Sequence, residues 1–268
     1  MRAGSTPAIV LRTREFGESD KIVTVLSRGE GKFTGIAKGA KRSRKRFPGS
    51  LELFSHVNLA FKQKNETALC FLERAVLIQP WLRLVQSIER YAAASHVIEL
   101  ADKMTADREV GDEIYALVVA ALARIDERPP TPTTLRIFEL AALAASGYRH
   151  EFSRCTRCQK EVAGLGQSLR VPYSGTGLLC AACSDREQGG PTISAAAAEV
   201  LLRMEAAVSR ALPDAKPDMD ATAAFLTDDD IDADTVPRVA TEIRLATTTL
   251  LQPHVRGRLR SLEAMGVL

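Results

Sequence analysis

Long apolar runs are missing from this sequence, and none approaches the roughly 20 residues that a bilayer-crossing helix needs. The opening "MRAGSTPAIVLRTREFGESDK" offers no h-region, because "AIVL" is cut short by Arg12 and Arg14. No secretory leader is therefore expected, and the cytoplasm is the expected compartment. Histidines number four, and His56, His96, His150 and His254 stand without serine or carboxylate partners at motif spacing. A phosphate loop is absent as well, since "GEGKFTG" lacks the Walker spacing and the hydroxyl residue after its lysine. These absences argue against a hydrolase or a nucleotide-driven enzyme, and against a small-molecule substrate. Aromatics make up only 5% of the chain, whereas alanine is plentiful in its middle and end, which favours packed helices over a large sandwich.

What is present falls into three zones. Residues 1–80 carry short β-branched runs broken by glycine, with "KIVTVLS" and "KFTGIAKGA" joined by the turn "RGEGK". "HVNLAFKQKNETALCFLERAVLIQ" repeats the pattern around the turn "KNET". Four or five short, evenly spaced strands in about 80 residues predict a small closed barrel, of the OB or the SH3-like type. From Trp81 onward the period changes to that of helices, with Leu82, Val85, Ile88, Ala92, Val97 and Leu100 at three- and four-residue steps. Pro80 stands near the expected start of this first helix. Further helices are expected at "EVGDEIYALVVAALARIDE", at "TPTTLRIFELAALAASGY" with a threonine N-cap and Gly147 as C-cap, at "SAAAAEVLLRMEAAVSRAL" and at "VPRVATEIRLATTTLLQPHVRGRL". Residues 151–190, rich in cysteine, glycine and polar residues, read as a loop-dominated insert. The expected architecture is α+β and multidomain. It has a barrel at 1–80, a helical domain at 81–150 and 191–268, and an insert at 151–190.

The insert holds "CTRC" and "CAAC", so Cys155, Cys158, Cys180 and Cys183 form two Cys-x-x-Cys pairs. Each two-residue gap lets a tight turn aim two thiolates at one tetrahedral ion, and the 21-residue spacer is long enough to form a hairpin that brings the pairs together. One structural Zn2+ in a zinc-ribbon-like site of four cysteines is the expectation. Such a site has no open position for water and so stabilises a fold without hydrolysing a substrate. Cys70, in "ALCFL", is expected in the core, and His150 adds nothing to a set that four cysteines complete. The run "DDDIDAD" at 228–234 lacks the glycine and glutamate of a calcium loop and reads as a solvated acidic loop.

Charge is distributed unevenly. Residues 1–80 hold 15 basic against 7 acidic side chains, net +8, in a chain whose total is only +3. Six of those cations, Lys38, Lys41, Arg42, Arg44, Lys45 and Arg46, lie in "KGAKRSRKR". Barrel loops commonly grip oligonucleotides, and this run is assigned to phosphate contact. Six contacts to a single strand predict a slope of log K against log salt of roughly −4, with no reading of base order. Phe33 and Phe47 bracket the run and are weighed between core packing and base stacking. Lys32, Lys62 and Lys64 are further candidates by sign and neighbourhood.

Taken together, these features resemble the RecO family of bacterial recombination mediators. The likeness rests on "AIVLRTREFGESDKIVTVLSRGEGKFTGIAKGAKRSRKRFPGSLELFSHVNL", on "RYAAASHVIELADKM", and on "FELAALAASGYRHEFSRC" followed by the paired cysteines. It implies that the barrel is an OB-fold, followed by a helical domain that carries the zinc insert. It also implies binding of single- and double-stranded DNA, annealing of complementary strands, and assistance with RecR to RecA loading on strands coated by single-strand-binding protein. The acidic C-terminal tail of that coat protein would dock on the helical domain, where Arg136, Leu140, Leu143 and Arg149 are the candidates. Nucleoid association within the cytoplasm follows from the same likeness. Leu53 stands where the family commonly has proline, and "GYRHEF" lacks a proline that often follows Gly-Tyr. Two other readings fit parts of the pattern, an RNA-binding zinc-ribbon protein and a redox-switched zinc chaperone.

Overall fold

A computed structural model of the chain describes residues 2–64, 69–162, 168–174, 177–184, 189–212 and 236–265. Most of the turn "KNET" and the acidic run 228–234 lie outside the described residues. The chain divides into two compact units, residues 1–128 with 259–268, and residues 129–258.

The first unit is built on five strands, β1 (Arg2–Phe16), β2 (Asp20–Ser27), β3 (Gly31–Ala37), β4 (His56–Gln63) and β5 (Cys70–Gln79). They close into a barrel in the order β1-β2-β3-β5-β4. All neighbours are antiparallel except β3 and β5, which meet in parallel at Gly35↔Cys70 and Ile36↔Phe71. Strand alternation explains the filling. Ala8, Val10, Val23, Val25, Phe33, Ala37, Val57, Leu59, Phe61, Leu72 and Ala75 point inward and form one apolar core. A register shift between Val10 and Arg12 bends β1, so that Arg12 and Arg14 fall opposite Thr24 and Ile22 on the outer face.

Two long helices belong to this unit, α1 (Ile88–Met104) and α2 (Asp112–Glu127). The helix expected from Trp81 begins seven residues later. Leu82–Val85 makes only a 3-10 turn, and the Ser87 hydroxyl caps α1 by accepting from the Arg90 N–H at 3.2 Å. Lys32, a candidate DNA contact by sign alone, is 6% exposed. Its ammonium donates to the Asp102 carbonyl on α1 and pairs with the Asp102 carboxylate at 3.2 Å. A second carboxylate, Asp107, lies 3.8 Å away, and a buried cation so paired is part of the fold and does not serve as a phosphate contact.

The second unit packs α3 (Pro132–Ala145), α5 (Ala195–Ala211) and α6 (Pro237–Leu251) around Phe138, Leu143, Leu201, Met204, Ile243 and Leu250. Thr131 caps α3 through a capping box with Thr134, Pro132 occupies the first turn, and Gly147 ends the helix at φ 84°. The insert contributes β6 (Leu169–Arg170), the short α4 (Ala181–Ser184) and β7 (Thr192–Ile193), with β6 and β7 paired antiparallel. A last helix, α7 (Arg260–Met265), belongs to the first unit. Among the described residues no helix is long and apolar enough to cross a membrane.

Candidate nucleic-acid interface and metal centre

The basic run leaves β3 and is anchored by its backbone at both ends. Gly39, at φ 66°, donates its N–H to the Asp20 carboxylate at 2.8 Å, and the Lys41 N–H donates to the Ser19 carbonyl at 3.0 Å. The Gly39 N–H, with the Ser19 hydroxyl and nearby lysines behind it, holds the Asp20 carboxyl below its usual range. At the far end the Ala75 N–H donates to the Arg46 carbonyl at 2.9 Å, and Phe47 enters the barrel core.

Between these anchors all six cations are exposed, but they are not equivalent. Lys41 pairs with Glu15 at 2.7 Å and also donates to the Gly17 carbonyl. Arg46 donates to the Lys38 carbonyl at 2.6 Å, and its guanidinium lies 5.3 Å from the Phe47 ring. The side chains of Arg42, Arg44 and Lys45 have no partner among the described residues. Three unspent charges on a backbone pinned at both stems can meet an anion without first breaking an internal contact.

Of the two phenylalanines that bracket the run, Phe33 is 2% and Phe47 4% exposed. Neither offers a face to a base, because both sit at inward positions of the barrel. Lys62 spends its charge on Glu73 at 2.7 Å, and Lys64 is exposed. Phe16, next to the Glu15 that pairs with Lys41, is exposed, and so is Phe71 on β5, with the Lys38 ammonium 6.0 Å from its centroid. Sequence reasoning passed over it, because only the register of β5 against β3 shows which face "CFL" presents.

The four paired cysteines converge. Their sulfurs all lie within 4.8 Å of one another, and Cys158 Sγ stands 3.7 Å from Cys180 Sγ. A tetrahedron with metal–sulfur bonds of about 2.3 Å has edges of about 3.8 Å, so the set fits a four-cysteine metal site and is compatible with zinc. Each knuckle is a tight turn. Gln159 donates its N–H to the Cys155 carbonyl at 2.9 Å and takes φ 61°, while Cys183 and Ser184 donate to the Cys180 carbonyl at 3.0 and 2.9 Å. The knuckles are joined directly, since the Thr156 N–H donates to the Leu178 carbonyl at 2.9 Å, and "SLRVPY" backs the second knuckle through the backbone hydrogen bonds that Arg170 and Leu179 exchange. Gly190, at φ 92°, passes so close to the Val171 carbonyl that a Cβ could not fit.

Thiol chemistry agrees with a cation site. Burial pushes the Cys155 thiol up, but backbone N–H groups of Cys158, Cys180 and Arg157 stabilise its thiolate and bring it down to about 6. Burial and the three neighbouring sulfurs drive Cys183 up to about 12. Without a cation the cluster therefore keeps a proton on Cys183, and a bound divalent ion would displace it. Cys70 is buried in the barrel and is not a member of this group.

Comparison with known proteins matches two adjoining stretches of the chain. Residues 1–81 match the model "Recombination protein O N terminal", and residues 85–219 match "Recombination protein O C terminal". The chain belongs to the RecO family. Among curated relatives, DNA repair protein RecO of Anaeromyxobacter sp. (strain Fw109-5) is 35% identical over 225 residues, 81% of this chain and 88% of the relative. The same-named proteins of Anaeromyxobacter sp. (strain K) and Frankia casuarinae are 34% and 36% identical over 197 residues. Those alignments cover 74% and 72% of this chain, and 77% of each relative. Membership in RecO gives the chain a role in DNA repair and recombination.

The residues assigned to partner docking from the RecO likeness do not share one environment. Arg136 is 4% exposed and paired with Glu139 at 2.9 Å on the same helix, and Leu143 is fully buried. Burial works against the Arg136 charge and Glu139 supports it, so this pair belongs to the helical core. Arg149 is exposed and, with the buried Leu140, lines a groove that also holds His150, Phe152, Val208 and the Glu205 carboxylate. Arg149 donates there to the Leu212 carbonyl at 2.6 Å and to the Ser209 hydroxyl at 3.3 Å.

Proposed function

We propose that this chain is a non-enzymatic recombination mediator that grips DNA through its basic barrel loop and anneals complementary strands. The observation that carries the reading is the pinned loop, with Arg42, Arg44 and Lys45 exposed and unspent on a closed five-stranded barrel. The strand order fits the OB type, a fold whose loops and strand faces bind oligonucleotides. Annealing follows from the physics of the contact. Cations that neutralise two strands lower their mutual repulsion, and phosphate contacts leave the base edges free to pair.

In this reading Lys38, Lys41, Arg42, Arg44, Lys45 and Arg46 contact single- and double-stranded DNA. Cys155, Cys158, Cys180 and Cys183 hold one structural Zn2+, which ties down an insert whose own elements are two to four residues long. With RecR, the protein assists RecA to replace single-strand-binding protein in the cytoplasm, at the nucleoid. The acidic tail of that coat protein docks on the helical unit at Arg149, beside Leu140, where it also has to accommodate the Glu205 carboxylate. Arg136 and Leu143, assigned to the same docking from the family likeness, are buried in the helical core.

Fluorescence anisotropy with two unrelated single strands of equal length and composition tests the grip. Equal affinities are expected, with log K falling by about 2 to 4 units per decade of salt, the range for three to six phosphate contacts. A strong preference for one sequence, or a flat salt response, would contradict it. Tighter binding to RNA of the same sequence would favour the RNA-binding reading instead.

A further inference from the structure

On the barrel, Phe33, Phe47 and Phe61 serve the core, while Phe16 at the end of β1 and Phe71 on β5 are exposed. Phe71 is 42% exposed in the first half of β5. The register carries its position across the sheet. Phe71 pairs with Ile36, Ile36 with Ile22, and Ile22 with Arg14, so these four residues form one row on the outer face. Adjacent strands are about 4.8 Å apart, which makes the row roughly 14 Å long. One end is the Arg14 guanidinium, which has no partner among the described residues. The other is the Phe71 ring with the Lys38 ammonium beside it.

A second row, Arg12–Thr24–Thr34, runs next to the first, and its two hydroxyls lie 2.8 Å apart. Arg12, Arg14, Ile22, Thr24 and Thr34 line an open cleft of about 530 Å³, and Ile36 and Phe71 continue the first row beyond it. The face thus offers the Arg14 guanidinium and the Thr34 hydroxyl at one side, with Arg12 paired to Asp102 at 3.1 Å, a half-buried Ile22 and a buried Ile36 between, and the Phe71 ring at the other side. Glu73, two residues along β5 from the ring, pairs with Lys62 at 2.7 Å. Flat apolar surface flanked by cations is the combination that holds unpaired bases while their phosphates are gripped.

We infer that Phe71 is a base-stacking platform, and that the outer β1-β2-β3-β5 face is a single-strand track running from the basic loop past Phe71 to Arg14. The inference rests on the reading of the barrel as a DNA grip and adds to it a preference for unpaired bases. The basic loop holds any phosphate chain, duplex or single. A ring that needs an exposed base face discriminates between them.

The test uses full-length Phe71→Ala, Phe71→Leu and Phe71→Trp variants, checked for unchanged melting. Probes are oligo(dT), an abasic strand of the same length, and a duplex. Phe71→Ala and Phe71→Leu should lose about tenfold in affinity for oligo(dT), keep the wild-type salt slope, and bind duplex and abasic strand as before. Phe71→Trp should retain affinity and show fluorescence quenching by oligo(dT) but not by the abasic strand; the native Trp81 is buried and gives the background. Unchanged oligo(dT) binding by Phe71→Ala, or an equal loss on duplex and single strand, would overturn the inference. So would variants that bind all DNA normally but lose a protein partner. If wild type binds no oligonucleotide at all, the DNA-grip reading itself fails. Wild-type binding with an indifferent Phe71→Ala removes only the stacking role.

Discussion

Replacing Lys41, Arg42, Arg44, Lys45 and Arg46 by alanine should lower single-strand affinity roughly 50-fold or more near 0.1 M salt, and flatten the salt response. Exposed ion contacts are worth about 0.2–1 kcal/mol each, so several lost together reach about 2–3 kcal/mol. The structure sets the expected slope change more closely than a count of charges does. Arg42, Arg44 and Lys45 have free side chains, whereas Lys41 and Arg46 are already engaged with Glu15 and the Lys38 carbonyl. At about 0.7 per contact, the slope should fall by about 2 if only the free cations act, and by about 3.5 if all five do. Fold should be retained, because the loop is anchored by Asp20, Ser19 and the Arg46 carbonyl, none of which depends on the deleted charges. A triple Arg42/Arg44/Lys45→Ala variant with most of the loss would assign the grip to the unspent charges. An unchanged slope in the five-alanine protein would place DNA contact elsewhere.

Removing the metal should unfold the insert and spare the barrel. Regular structure contributes little to the insert, since β6 and β7 are two residues each and α4 is a single turn, and its other support is the burial of Phe152, Leu169, Val171, Leu178 and Leu179. Structural zinc sites in small domains supply about 10–16 kcal/mol of apparent binding free energy, which here would be spent on joining the two knuckles. Chelation, or Cys155→Ser, should therefore abolish amide protection in 152–162 and 177–184. The emission of Trp81, buried in the first unit, should not move. Metal return to the reduced protein should release protons, Cys183 being one source, and retention should weaken as pH falls and the ligands are protonated. Equal protection with and without metal would show that the four sulfurs are a packing cluster. New holdase activity on oxidative metal release would favour the redox-chaperone reading.

Local rules made much of this legible before any coordinates. β-branched runs separated by "RGEGK" gave β2 and β3, the Thr131 cap and Gly147 bounded α3, and the Cys-x-x-Cys spacing brought four sulfurs into one cluster. What escaped was decided by partners far away in the chain. Lys32 looks like any surface cation until Asp102, 70 residues on, is placed beside it. Arg136 sits on a helix buried on nearly all sides, which a one-stripe periodicity does not announce. Phe33 and Phe71 are indistinguishable by composition, and only strand parity, set by the barrel register, turns one inward and the other out. The early start expected for α1 failed because apolar spacing at Leu82 and Val85 persists through a 3-10 turn, while the Ser87 cap fixes the true boundary.

The central claim is that an exposed, pinned basic loop on the barrel makes this chain a strand-annealing mediator. Its most direct test is the annealing of complementary strands precoated with the cognate single-strand-binding protein, by wild type and by the folded five-alanine variant side by side. Rapid annealing by wild type and its loss in the variant is the predicted result. Annealing of coated strands by both proteins alike, or by neither, would contradict the claim.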